Sequence, residues 1–204
     1  MTNINTNFKE AISSEIFTVI SKASKLLSID SYVIGGFVRD FFLKRGSAKD
    51  IDIVAVGSGI ELAEKVASLL SNKPKVQVFK TYGTAMLRYK DVEIEFVGAR
   101  KESYSEESRN PEVSEGSLAD DQNRRDFTIN ALALSLNELN FGDLSDPFNG
   151  IDDLVKKNIK TPLDPDITYS DDPLRMMRAI RFATQLNFTI ESNSLQAIAK
   201  NSDR

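Results

Sequence analysis

Asp50 and Asp52 stand two residues apart in the run DIDIVAV. Side chains two apart on a strand project to the same face, so both carboxylates can reach one hard cation such as Mg²⁺ alongside substrate phosphates. The same pair also suits the wet face of a strand, and Asp-x-Asp alone does not separate the two readings. Gly35-Gly36 lies between the apolar run SYVI and the helix-like FVRDFFLKR. A turn without side chains that leads into a helix N-terminus lets backbone amides approach anionic phosphates, although a plain tight turn would look the same. Glu93 and Glu95 alternate in VEIEFVGAR as the aspartates do. Either could act as a third carboxylate that orients or deprotonates a hydroxyl or completes a two-metal site, and either could line the exposed face of a hairpin; Glu95 is preferred.

Asp172, Arg175 and Arg178 recur at three-residue spacing in DDPLRMMRAIRF and so share one side of a helix. A carboxylate and a planar guanidinium on neighbouring turns offer acceptors and donors to a base edge, while a further arginine answers phosphate. A capping aspartate with ordinary helix ion pairs has the same pattern. Arg124, Arg125 and Asp126 could likewise serve a ribose and a triphosphate, or form a surface ion-pair cluster.

The rest of the composition narrows the chemistry. The chain has 204 residues and contains neither cysteine nor histidine. Disulfides, thiolate nucleophiles and imidazole bases or ligands are therefore excluded, leaving carboxylates, arginines, lysines, hydroxyls, backbone amides and oxygen-bound ions. With 41% hydrophobic and 27% charged residues the chain reads as a soluble globular protein. No apolar run is long enough to cross a membrane, and the opening MTNINTNFKEAISSEIF lacks the pattern of a signal peptide, so a cytoplasmic location is expected. A formal charge of −4 argues against a surface wrapped all round by nucleic acid, but local basic clusters can still grip phosphate.

Several elements must position these groups. Apolar spacing predicts an amphipathic helix over residues 8–27, with strands at SYVI, DIDIVAV, KVQVF, TAMLRY and VEIEFV, the last two forming a hairpin through Lys90-Asp91. IELAEKVASLL reads as a helix covering a sheet. Residues 101–122, polar and poor in apolar side chains, read as a long mobile loop. RRDFTINALALSL reads as helix, or helix then strand, and SDPFNGIDDL holds turn signals. DDPLRMMRAIRFATQL is a helix with Asp171 or Asp172 as cap, Pro173 in its first turn and Leu174, Met177, Ile180 and Ala183 on one face. SNSLQAIAKNSDR begins another.

In this order the motifs resemble the class II tRNA nucleotidyltransferases and bacterial poly(A) polymerases, a branch of the DNA polymerase β-like nucleotidyltransferases. GGFVRD followed by DID resembles the family's metal motif, RRDFTINALA its ribose and triphosphate motif, DPFNGIDDL its hinge-like motif and DDPLRMMRAIRF its base-recognition motif. The resemblance covers about residues 30–190. It implies an α+β head with a small mixed sheet over residues 1–149, and the start of a helical neck over 150–204. By the same resemblance Asp50 and Asp52 would hold Mg²⁺, and Gly35, Gly36 and Arg39 would sit at the triphosphate. Arg125 and Asp126 would meet ribose and phosphate, Asp172 and Arg175 would read CTP and ATP, and Arg178 would help hold phosphate. Asp171 departs from the pattern, since the family usually has Glu there.

The implied reaction is CCA addition to the tRNA 3′ end, with the tRNA held mainly by neck, body and tail domains beyond a head and partial neck. Poly(A) polymerase, a CC-adding or A-adding specialist and a nucleotide-binding module are the alternatives. A sugar-nucleotide glycosyltransferase could use Asp-x-Asp with a divalent ion, but it would not account for the glycine pair and the arginine motifs.

Overall fold

The computed structural model describes residues 7–46, 49–105 and 108–203, with backbone alone at 104, 105 and 108–110. Contacts divide the chain into two compact units, Met1–Ala99 with Ala133–Ser145, and Arg100–Leu132 with Asp146–Arg204.

The first unit is built on a mixed sheet. Its strands are β1 (Asp30–Ile34), β2 (Asp50–Val56), β3 (Gln77–Phe79), β4 (Thr84–Tyr89) and β5 (Val92–Gly98), together with two short ones after residue 132, named below as β8 and β9. The sheet-forming runs are rich in valine, isoleucine and aromatic residues, the types that pack on a pleated surface. β2 pairs parallel with β5, while β1–β2, β3–β4 and β4–β5 are antiparallel. The β4–β5 hairpin turns at Lys90, in the left-handed region with φ of 56°, as the strand pattern predicts.

Helices α1 (Glu15–Leu27), α2 (Gly36–Phe42) and α3 (Gly59–Leu69) pack on this sheet, α3 against β2, β4 and β5, and α1 against β1 and α3. Ile16, Phe17, Ile20, Val33, Ile53, Leu62, Val66, Ile94 and Phe96 form the core. A single helix over 8–27 is not what forms. Phe8–Glu10 make one 3-10 turn and α1 starts only after Ser14, because the Ser13 hydroxyl bonds the Glu10 carbonyl and Ser14 is extended. Serines compete with helix in this way.

The second unit contains β6 (Arg100–Ser105), β7 (Ser108–Glu115) and α4 (Leu118–Asn123), which replace the loop expected over 101–122; residues 106–107 of that loop lie outside the described residues. β6 and β7 form an antiparallel hairpin, and α4 is fixed by a capping box between Ser117 and Asp120. Of the two readings of RRDFTINALALSL, helix then strand comes nearer: after α4 it runs through a 3-10 turn at Thr128–Asn130 into β8 (Ala133–Ser135), which pairs with β1 and with β9 (Leu144–Ser145) in the first unit.

The chain continues in the second unit through α5 (Gly150–Lys156), β10 (Asn158–Ile159), α6 (Pro165–Asp171), α7 (Leu174–Leu186), β11 (Thr189–Ile190) and α8 (Ser192–Lys200). β10 and β11 pair in parallel. The apolar face expected on α7 is inverted. Leu174, Met177 and Ile180 are 45%, 64% and 48% exposed, whereas Arg175, Met176, Ala179 and Phe182 are buried. The edge-on packing of Phe182 against Phe127, at 5.8 Å between ring centroids, and the anchoring of Arg175 on the Arg124 carbonyl beside Glu102 outweigh the simple hydrophobic stripe. Among the described residues no helix is long and apolar enough to cross a membrane.

Candidate active site

The register of the first sheet gathers one half of the candidate residues. Asp52 pairs with Ile34 on β1 and with Glu95 on β5, and Asp50 pairs with Glu93. Paired residues on neighbouring strands share a face, so Asp50, Asp52, Glu93 and Glu95 point the same way. Ile34 runs directly into Gly35-Gly36, which brings the glycine pair to the same end of the sheet. Along β2 the acidic face opens toward solvent at Asp50 and Asp52 and closes at the fully buried Val54.

Gly35 has φ of 80° and ψ of −131°, a conformation that side chains other than glycine's strain to adopt, and it caps α2. Arg39 on α2 is buried and gives two hydrogen bonds to Asp40, each of 2.9 Å, with further interactions besides. Among the described residues no group of three acidic side chains is gathered closely enough to cage a metal ion. Magnesium is typically bound by one or two carboxylates, waters and substrate phosphates rather than by an all-protein cage, and the oxygen donors Asp50 and Asp52 suit that mode.

The second unit gathers the other half. Asp126, buried, receives Arg178 Nε and Nη2 on Oδ2 at 2.7 and 2.6 Å, and Phe127 N and Asn130 Nδ2 on Oδ1 at 2.9 and 3.0 Å. Arg178 lies over the Phe182 ring at 5.4 Å, as Arg181 does at 4.9 Å. Asp172 Oδ1 accepts the Leu174 amide at 3.1 Å and thereby caps α7. Arg175 Nη2 donates to the Arg124 carbonyl at 2.9 Å and stands 4.0 Å from Glu102.

Two buried carboxylates tie this half together. Asp121 binds Arg124 and Arg125, and Glu102 binds Arg100 and Arg124. Burial pulls the Arg124 guanidinium below its ordinary pKa, partly offset by Asp121. The tight approach of Gly150 to the Thr128 carbonyl, and the Asp146 carboxylate on the Gly150 and Ile151 amides at 2.6 and 3.0 Å, seat α5 against the 3-10 turn. Sequence reasoning missed Glu102 and Asp121. The available signal was the spacing of Asp121 three and four residues before Arg124 and Arg125.

The poly A polymerase head domain family matches residues 31–160. The chain belongs to that family. It is 41% identical over 170 residues to an A-adding tRNA nucleotidyltransferase of Aquifex aeolicus (strain VF5), covering 83% of this chain and 20% of that protein. A CCA-adding enzyme of Bacillus velezensis is 37% identical over 172 residues, covering 83% of this chain and 41% of the relative. Among solved structures, the apo form II of a CCA-adding enzyme superposes with a TM-score of 0.86 at 32% identity, over 97% of this chain and 47% of that one. A tRNA nucleotidyltransferase complexed with a primer tRNA and an incoming ATP analog gives 0.77 at 34% identity, over 90% and 50%. The chain thus spans between a fifth and a half of the length of these proteins. The expected α+β nucleotidyltransferase head is borne out by both comparisons.

Proposed function

We propose that this chain is the catalytic head, residues 1–149, and the start of the helical neck, residues 150–204, of a template-independent tRNA nucleotidyltransferase that adds CMP and AMP from CTP and ATP to the tRNA 3′ end. The observation that carries the reading is the convergence of Gly35-Gly36, Asp50, Asp52 and Glu95 at one end of the β1–β2–β5 sheet. It is supported by the arginine cluster of the second unit and by relatives named as CCA-adding and A-adding enzymes.

In the proposed reaction the RNA 3′-oxygen attacks the α-phosphorus of the nucleotide. A new O–P bond forms, the bond to the β-phosphate bridging oxygen breaks, and pyrophosphate leaves with that electron pair. Mg²⁺, held by Asp50 and Asp52, supplies charge neutralisation on the phosphates when bound. Glu95 orients the attacking hydroxyl or takes its proton. Gly35, Gly36 and Arg39 lie at the triphosphate, Arg125 and Asp126 at ribose and phosphate, and Arg178 at phosphate. Asp172 and Arg175 present an acceptor and a donor to the base edge of CTP or ATP.

A second reading, an A-adding specialist, is favoured by the 41% identity to the Aquifex aeolicus enzyme of that name. Sequencing the products of the intact protein on tRNA transcripts ending before CCA and on transcripts ending in CC, with both nucleotides supplied, tests both. Full CCA on the first substrate supports the main reading, a single A on the second alone supports the specialist, and oligo(A) would point to poly(A) synthesis. Asp50→Ala abolishes addition in every case, and retained turnover refutes the metal role.

A further inference from the structure

Asp121 is completely buried on α4, one residue past the acidic member of the capping box that fixes this helix. Its two carboxylate oxygens are divided between two neighbouring guanidiniums. Oδ1 accepts from Arg124 Nε at 2.8 Å and from Arg124 Nη2, and Oδ2 accepts from Arg125 Nε and Nη2 at 3.1 and 2.9 Å. Arg124 uses its remaining Nη1 on Glu102, at 3.2 Å. Arg125 Nη1 makes no hydrogen bond among the described residues, and the Arg125 side chain is 16% exposed. Among the described residues, ion pairs link Arg100, Arg124, Arg125 and Arg175 to Asp121 and Glu102.

We propose that Asp121 is a positioning residue for triphosphate recognition: it locks Arg124 and Arg125 side by side and leaves the Nη1 edge of Arg125 as the donor that meets nucleotide phosphate. The inference rests on the proposed reading of Arg125 as a phosphate contact. A guanidinium is planar and rigid, so gripping its Nε–Nη2 edge fixes where the opposite edge points. An unpaired arginine in the same place would spread over several rotamers and lose that orientation on binding. Glu102 holds the Nη1 side of Arg124, whose other edge takes Asp121 Oδ1, so Asp121 Oδ2 is the oxygen that orients Arg125.

The test is calorimetric titration of the 204-residue chain with CTP and with CMP in the presence of Mg²⁺, for wild type, Asp121→Asn, Arg125→Lys and the double variant. One amide oxygen cannot serve both guanidiniums, so Asp121→Asn weakens CTP binding by about tenfold, the scale of one misplaced charge-assisted hydrogen bond, while CMP binding changes far less. Because Asp121 acts through Arg125, the double variant is no worse than Arg125→Lys alone. Additive losses, or equal losses for CTP and CMP, overturn the positioning role, since damage to the fold alone does not select by phosphate number. Should Asp121→Asn fail to fold, Asp121→Glu keeps the charge, displaces it by one methylene and is read the same way. If Arg125→Lys itself leaves CTP affinity unchanged, the phosphate contact under the proposed function is what fails.

Discussion

Asp126→Asn removes one charge and one oxygen from a site where four donors converge. Arg178 Nε and Nη2 reach Oδ2 at 2.7 and 2.6 Å, and Phe127 N and Asn130 Nδ2 reach Oδ1 at 2.9 and 3.0 Å. An asparagine has one acceptor oxygen, so whichever way the amide is turned its NH₂ faces two donors. The better orientation keeps the oxygen on Phe127 N and Asn130, because Arg178, whose side chain is 43% exposed, can swing toward water while the buried backbone amide cannot. A hydrogen-bonded charge at a buried site is worth about 1.5–3 kcal/mol, and the exposure of Arg178 brings the expected loss down to about 1–2 kcal/mol.

Urea unfolding followed by far-UV circular dichroism measures this as a fall in midpoint at unchanged slope. The companion variant Arg178→Ala strips the side chain from over Phe182 and leaves Asp126 Oδ2 without its two donors, so it is destabilising by a similar amount. The double variant must then be less destabilised than the sum of the singles, since both report one pair. A midpoint for Asp126→Asn indistinguishable from wild type, or strictly additive losses in the cycle, would refute this account of the pair.

Two further outcomes follow from the same packing. Gly150→Ala places a Cβ 2.5 Å from the Thr128 carbonyl oxygen and 2.9 Å from its carbon, both backbone atoms that cannot swing aside, so a loss of about 1–3 kcal/mol is expected in the same unfolding assay and unchanged stability would count against the close approach. The Asp120 carboxyl is held below its ordinary value of 3.8, first by the Ser117 hydroxyl and then by the Ser117 amide. A depressed folded pKa contributes stability that is full above the ordinary value and is lost as pH falls through the lowered one. Wild type therefore loses this contribution only below pH 3.8, and Ser117→Ala flattens that part of the stability profile; identical acid profiles for the two proteins would exclude the capping box as its source.

The sheet was legible because its signal is a period of two with apolar alternation. DIDIVAV, TAMLRY and VEIEFV appear as β2, β4 and β5, and the alternation puts the four acidic side chains on one face once β2 and β5 pair, while the register that sets Glu95 rather than Glu93 beside Asp52 comes from the fold. The β6–β7 hairpin and α4 were not legible, for a physical reason. That region buries Glu102 and Asp121 through ion pairs with Arg100, Arg124 and Arg125, and a reading based on hydrophobic period counts every one of those residues as solvent-facing. The inverted face of α7 has the same origin: Arg175 belongs to the buried side with Met176, Ala179 and Phe182, while Leu174, Met177 and Ile180 face outward.

Asp172 and Arg175, proposed above to read the base, sharpen the point. The capping role of Asp172 and the proposed role of the pair are compatible in this geometry. Asp172 spends Oδ1 on the Leu174 amide, and its carbonyl accepts the Arg175 amide at 3.0 Å, so the cap fixes both residues at the first turn of α7. Arg175 Nη2 is then anchored on the Arg124 carbonyl, which belongs to the arginine whose side chain Asp121 and Glu102 hold. With Nη2 on the Arg124 carbonyl and near Glu102, the Arg175 guanidinium is restrained before any base arrives, and a restrained donor discriminates donors from acceptors on a base edge better than a free one. Arg175→Lys, which keeps the charge but loses the planar fork, should narrow the preference for CTP and ATP over UTP and GTP that the proposed function assigns to the intact protein, while leaving a charge at the site. Competition assays with all four nucleotides measure it, and undiminished selectivity would remove Arg175 from base reading while leaving its structural anchor intact.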